Sequence, residues 1–423
     1  MPELAASDPR ETAAPRPKPN DEYRRLWILL GLGWLGANLG YNTYELPLKF
    51  LLKNQLHLNA DAMALFFAIG KFSNYVKPVV GIFTDAIPIF GTRRRHYLLI
   101  SLFGCGLAWL LLGWVPREYG PLLAVFALVY VGIVISSTAM GGVMVEVGER
   151  FGASGRLSAQ RIGIFRIVGL IGGPLGGWLA TREFGYTCGF VAGLHFLLIP
   201  LFYAQLREPR VATTDFRALN ALRDQVRVLF TSRTLWSAAG LVFLIELAPG
   251  FGTPLFYYQT EVLHFTPAFL GTLKMVAGGC GVLGAILFNK MCPRVALRPL
   301  LILGIFIHTL AALLHLGYRT PNSALIISGL YEAAQTLALL PLYDLSMRAT
   351  PKGSESLGYC LMMSIWNIAL AISDVVGARM FSLGVSFNML VWLNAGTTVL
   401  VLFALPMLPR ALTDRRDGEL ATP

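Results

Sequence analysis

The chain has 423 residues, of which 55% are hydrophobic and only 14% charged, with a formal net charge of +11. About a quarter of the residues of a soluble domain are charged, so this composition excludes a soluble fold and points to a polytopic membrane protein. The basic balance does not indicate nucleic-acid binding, because the cations sit in short loops between apolar runs and no basic helix or aromatic-basic platform stands outside them.

Residues 1–25 are rich in Pro, Ala, Glu and Asp, with no apolar core preceded by basic residues. They read as a disordered cytoplasmic tail, not a signal peptide. Apolar runs of membrane-spanning length then recur twelve times. The first six cover about 26–51, 62–84, 97–115, 121–145, 161–181 and 186–205; the second six cover 235–258, 268–289, 298–317, 323–345, 356–381 and 386–408. This divides the chain into a six-helix bundle over 26–205, a linker over 206–234, a second bundle over 235–408 and a tail over 409–423. In the linker, Phe216, Leu219, Leu222, Val226 and Leu229 recur at three and four among arginines, which predicts an amphipathic helix on the membrane surface. Most of the 35 Lys and Arg residues fall in the tails and alternate loops, placing both termini in the cytoplasm, with a bacterial inner membrane as the expected location.

The halves read as repeats. One offset lays Pro47-Leu48 on Pro254-Leu255 and Leu56-His57 on Leu263-His264, and another lays Glu146 on Asp344, Arg150 on Arg348 and Gly155 on Gly353. The fold class expected is therefore all-α and polytopic, with twelve transmembrane helices in two six-helix pseudo-repeats and the substrate site between them near the midplane.

Between the second and third spans runs Lys77-Pro78-Val79-Val80-Gly81-Ile82-Phe83-Thr84-Asp85, and then Pro88, Gly91 and Arg93-Arg94-Arg95-His96-Tyr97. A glycine, an acid at the span end and a basic cluster in this order resemble the loop between helices 2 and 3 of the major facilitator superfamily. The longer form, with Lys-Pro upstream and Pro-x-x-Gly-x-Arg-Arg-Arg-x-Tyr downstream, is similar to the folate–biopterin transporter family. The resemblance implies alternating access, a folate or pterin substrate and a cytoplasmic gate in which Asp85 pairs with helix ends across the halves. The gate set is Asp85, Arg93, Arg94, Arg95, Glu146, Arg150, Asp344 and Arg348, for whose arginines ordinary loop charge is the plain alternative.

A charge within a span costs a few kcal/mol, on the order of 3, so each such residue needs a partner or a wet cavity. Asn38, Asn42, Glu45 and Lys49 share one helical face of the first span, where Glu45 and Lys49 can instead simply pair. Lys71 and Asn74 on the second span and Arg166 on the fifth add a positive lining suited to an anion. The second half is acidic, with Glu246, Glu332 and Asp374, and Tyr257 follows Glu246 on one face. Lys274 and Arg379 are possible mates for these acids. Burial favours the neutral form of an unpaired carboxyl, so Glu246, Glu332 and Asp374 are candidate proton carriers, with internal salt bridges as the alternative; for the pterin or folate substrate that the resemblance implies, Glu246 and Glu332 are also candidate substrate ligands, able to accept two hydrogen bonds from an aminopyrimidine edge. Tyr41, Tyr44, Tyr257 and Tyr331 are candidates to stack on a bicyclic ring. The glycines of the fifth span, Gly169, Gly172, Gly173, Gly176 and Gly177, read as helix packing.

Cys105, Cys188, Cys280, Cys292 and Cys360 are scattered singly, which predicts neither disulfide nor metal. No P-loop, ATP signature or catalytic triad appears, so neither an enzyme nor a bound cofactor is expected. The reading is a secondary transporter of a folate or pterin-like organic anion, coupled to protons. The alternatives are a permease or exporter of another amphipathic anion, such as a cell-wall fragment or siderophore, and a non-transporting receptor or assembly factor of the same fold.

Overall fold

The computed structural model describes residues 19–151, 153–208, 216–292, 294–351, 354–409 and 413–414. Most of both tails, Arg210 and Gly353 lie outside that set, as do the side chains of Asp85, Glu149, Gly155 and residues 216–222. The first half runs through α1 (Pro19–Asn54), the broken span α2 (Ala60–Gly70) and α3 (Lys77–Ala86), α4 (Arg95–Trp114), α5 (Tyr119–Phe151), α6 (Ser154–Leu179) and α7 (Phe184–Gln205). After the linker helix α8 (Phe216–Thr231), the second half follows: α9 (Arg233–Glu246), α10 (Gly252–Tyr257), α11 (Pro267–Met291), α12 (Leu297–Leu313), α13 (Pro321–Ala349), α14 (Glu355–Ser382) and α15 (Phe387–Leu400). A 3-10 segment, Val401–Met407, completes the last span.

Nine helices among the described residues are long and apolar enough to cross a membrane. The other three of the twelve predicted spans fall on α1, whose polar face lowers its apolarity, and on α2/α3 and α9/α10, each interrupted midway. Large apolar side chains face outward, Leu283 at 63% and Phe403 at 80% exposure, as a bundle solvated by lipid requires. α8 meets α9 at 66° and so does not extend that span. Leu229 of its apolar stripe is buried in the second half's core, while Arg223 and Arg227 are exposed.

α1 starts earlier than the sequence reading had it, so residues 19–25 are helical and do not belong to a disordered tail. Pro19 opens it where no N–H bond is needed, and Asp21 and Glu22 complement the positive helix start. Glu22 is then held by Arg150 at 2.9 Å.

The repeat is written into the backbone. His57 (φ 51°) and His264 (φ 53°) both turn left-handed. Leu56 and Leu58 N–H bond back to Leu51 and Leu52, as Leu263 and Phe265 N–H bond back to Tyr258 and Gln259. Asn59 then caps α2 through Ala62 N–H, as Thr266 caps α11 through Phe269 N–H. The same two-helix corner is thus built twice, on an identical Leu-His pair with different residues around it.

The halves meet closely where α6 crosses α11. A Cβ on Gly169 would lie 3.3 Å from Gly278 Cα, one on Gly173 2.7 Å from the Gly271 carbonyl, and one on Gly177 2.8 Å from the Pro267 carbonyl. Gly172 and Gly176 face the other way, onto Asn42 and Thr43 of α1. The glycine run is therefore a two-sided packing surface.

Candidate substrate site

Consider the polar face of α1. Asn38 and Asn42 donate to the carbonyls four residues back, Trp34 and Asn38, which ties their amide nitrogens to their own helix. One turn further, Glu45 takes Lys49 at 2.9 Å and, from α11 in the other half, Lys274 at 2.6 Å. Lys71 stands at the break between α2 and α3, within electrostatic range of Glu45 and Lys274. Among the described residues it has no carboxylate or hydrogen-bond partner. Its ammonium lies instead over the rings of Phe67 (5.0 Å), Tyr41 (5.6 Å) and Tyr130 (5.7 Å). Three ammonium groups thus gather about one carboxylate, leaving a positive surplus between the halves that an anion would neutralise. Asn74 belongs to the same break, and its carbonyl accepts from Ser364 of α14 at 3.1 Å.

A second tie crosses the interface where Arg166 meets Glu332 at 3.0 Å. Arg166 Nε and the Thr336 hydroxyl are buried beside it without hydrogen-bond partners among the described residues. The pairings thus cross the halves: Lys274 goes to Glu45, Arg166 to Glu332, and Arg379 to Asp61 at 2.6 Å.

Between α9 and α10 the chain unwinds over Leu247–Phe251, where Pro249 lacks an N–H and Gly250 admits close approach. The freed groups are met by α14 and α15. Gly250 N–H donates to Ser373 carbonyl (2.9 Å), Ser373 hydroxyl to Ala248 carbonyl (2.5 Å) and Asn394 amide to Pro249 carbonyl (3.0 Å). Asp374 accepts from Thr253 N–H (2.9 Å) and hydroxyl (2.6 Å), capping α10. Glu246 ends α9 just before this break, half-buried and unpaired among the described residues. Gln335 and His308 line the same small cavity as Glu246.

Tyr257 is not beside Glu246: its hydroxyl donates to Leu58 carbonyl across the halves. Around it Lys53 reaches Thr260 (2.6 Å) and Glu261 (3.3 Å), Phe50 packs on Phe256 (5.3 Å), and Asp61 N–H donates to the Ser382 hydroxyl (3.2 Å). These contacts close the face opposite the tails and leave outside it a depression of about 580 Å3. Of the four stacking candidates, Tyr44 is withdrawn into the first bundle, 1% exposed against Trp109 and bonded to Tyr130 (2.5 Å). Tyr331 packs with Phe251, His308 and His315. Tyr41 keeps an exposed face.

On the tail side, the ion pairs among the described residues stay within one half: Arg94–Glu146 (3.8 Å), Arg150–Glu22 (2.9 Å) and Arg348–Asp344 (2.7 Å). Asp85 lies in the last turn of α3, its side chain outside the described set. Sequence reasoning missed Glu208. Its carboxylate accepts the backbone N–H groups of Arg93 (3.0 Å), Arg94 (3.1 Å) and Arg95 (2.9 Å), fastening the basic loop at the start of α4. Arg95 also reaches Tyr203 carbonyl at 2.7 Å. The signal available was an isolated acid in a basic stretch, Arg207-Glu208-Pro209-Arg210.

Two six-helix halves, interrupted helices at mid-depth and charges tied across their interface define a transporter of the major facilitator fold, not an enzyme. Solved structures agree on that fold: a D-xylose-proton symporter superposes with TM-score 0.71 at 15% identity, covering 92% of this chain and 98% of its own. The nucleoside transporter NupG gives 0.66 at 13%, covering 92% and 99%. The family model "BT1 family" matches residues 40–416, and the chain belongs to that family. Among similar curated proteins, a folate-biopterin transporter of Synechocystis sp. is 28% identical over 90% of this chain and 81% of its own. Folate transporter 1 of Plasmodium falciparum is 25% identical over 81% and 70%. Probable folate-biopterin transporter 4 of Arabidopsis thaliana is 24% identical over 79% and 84%.

Proposed function

We propose that this transporter moves a folate or pterin-like organic anion by alternating access, driven by protons. The observation that carries the reading is the surplus of cations at the interface, with Lys49, Lys71 and Lys274 about Glu45, in a chain whose relatives are folate and folate-biopterin transporters. The anion site comprises these lysines with Asn42, Asn74 and the Arg166–Glu332 pair. An acidic group of the substrate competes with Glu45 for Lys274, and with Glu332 for Arg166, so occupancy loosens ties that cross the halves. Glu246 and Glu332 are the proton carriers this geometry favours. Asp374, engaged by Thr253, acts first as a cap. The tails and α8 lie in the cytoplasm, Asp85, Arg93–Arg95 and the helix-end pairs form the cytoplasmic gate, and the membrane is the bacterial inner membrane.

The test is uptake into proteoliposomes of labelled folate, biopterin and unrelated anions with and without an inward proton gradient. Accumulation of folate or biopterin over its gradient, abolished in Glu246→Gln or Glu332→Gln while exchange persists, bears the reading out. Transport of only the unrelated anions removes the substrate assignment, and indifference to the proton gradient removes the coupling.

A further inference from the structure

We propose that Lys77 and Arg161, with the phenol groups of Tyr343 and Tyr359, form a second anion station on the tail side of the lysine cluster, one that takes the acidic tail of the substrate. This rests on the anion reading above and adds a group of residues that reading does not use.

Lys77 and Arg161 are both half-buried, and neither has a carboxylate partner or a hydrogen bond among the described residues. The Arg161 guanidinium instead lies over the Trp34 ring, 4.3 Å from its centre. The two cations are in electrostatic range of each other, where they repel. Like charges within a membrane bundle that lack a carboxylate partner lower its stability, and an arrangement kept against that cost calls for a ligand of opposite charge. Of the other half-buried cations of the interface, Lys49, Arg166 and Lys274 have their acids, and Lys71, which lies over aromatic rings, belongs to the cluster around Glu45.

Position supports the same conclusion. Arg161 precedes Arg166 by five residues on α6, roughly 7.5 Å toward the tails. Lys77 follows Lys71 on the same broken span, displaced in the same direction. From the other half, Tyr343 stacks on Trp366 at 4.8 Å and 10°. Tyr343 and Tyr359 are in electrostatic range of Arg161 and of each other, and their hydroxyls, able to donate, bond to no described residue. Glu246 is within range of Tyr343 yet pairs with neither cation. Arg161, with Lys77 in its range, thus comes within electrostatic range of two phenols from the second half, where both halves contribute, as they do around a substrate in this fold. Residues snorkelling to lipid headgroups would not face the opposite half.

The test uses the full-length protein in proteoliposomes with Lys77→Gln, Arg161→Gln and the double variant, and two probes: folate, which carries a dicarboxylate tail, and biopterin, which lacks one. The ratio of folate to biopterin affinity should fall about tenfold in the double variant, Lys77→Arg should retain the parent ratio, and the melting temperature should hold or rise as repulsion is relieved. Parallel loss of both affinities, no change in the ratio, or a lower melting temperature would overturn the proposal. If the parent binds neither probe, the folate and pterin assignment fails and the station is read with phthalate. Saturable phthalate binding lost in the double variant supports it, and its absence in the parent, or its persistence in the variant, overturns it.

Discussion

Lys274 reaches from α11 into the opposite half and shares Glu45 with Lys49. Replacing it with Gln leaves Glu45 a single partner and removes one of three cations from the site. Stability should fall by about 1–3 kcal/mol, less than the 3–5 typical of a fully buried pair because the group keeps some water, and anion affinity by tenfold or more. The exchanged pair Glu45→Lys with Lys274→Glu should recover only part of the stability, because a lysine at position 45 would face Lys49. A double-mutant cycle on thermal midpoints measures this, and full additivity would show that the two groups do not interact. Glu208 offers a second case, since its carboxylate answers three backbone N–H groups in a row. Glu208→Gln keeps the shape but weakens charge-assisted bonds, at a cost of about 1–2 kcal/mol. Limited proteolysis should show earlier cleavage within residues 87–95, and an unchanged digestion pattern would show the loop held by its arginines instead.

At the level of helices, α6 is the element whose sequence constrains its neighbours most, because its glycines bring α11 within backbone contact on one side and α1 on the other. Gly173→Leu must push α11 away, costing about 1–3 kcal/mol in strain and parting Lys274 from Glu45. Loss of transport together with a lower melting temperature is expected. A variant that melts and transports like the parent would mean the helices separate without penalty. The glycine run, the twelve spans and the corner repeated at His57 and His264 were legible in the sequence because each is a local property: apolar length, missing side chains, a turn signal. The sequence also put Glu45, Lys71, Arg166, Glu246 and Glu332 inside spans, since charge in an apolar run stands out. Partners were harder to read. Glu45 with Lys274, and Asp61 with Arg379, are separated by more than two hundred residues, and no periodicity within one helix reports on a neighbour set by bundle packing. Tyr44 and Tyr257 were misplaced for a related reason: a fraction of a helical turn, about 100° per residue, decides whether an aromatic ring faces the interface, the bundle interior or the closed face.

For the molecule as a whole, orientation and state are separate questions. Cysteine at Ser232, where α8 meets α9, and cysteine at Glu183, between α6 and α7, lie at opposite ends of the bundle. In a Cys-less background in intact cells, an impermeant thiol reagent should label Glu183→Cys and spare Ser232→Cys; the reverse pattern would invert the protein. The cross-half contacts at Lys53, Tyr257 and Arg379 close the face opposite the tails. Arg379 is 61% exposed, so its pair is worth less than about 1 kcal/mol, and Arg379→Gln with Lys53→Gln should shift the two-state balance only severalfold. Faster labelling of Asn54→Cys would register that shift, and an unchanged rate would place the closure elsewhere. The two corners that match at His57 and His264 carry a historical consequence. Lys53 and Thr260 are counterparts, 207 residues apart, and they touch each other; so do Lys49 and its counterpart Phe256. A position that meets its own copy tolerates no cation in an arrangement of two identical halves, because lysine would face lysine at both places. A chain made by joining two copies of this first half would set lysine against lysine at both places and oppose closure of that face, so the closed state draws on a difference between the two halves that duplication alone does not supply.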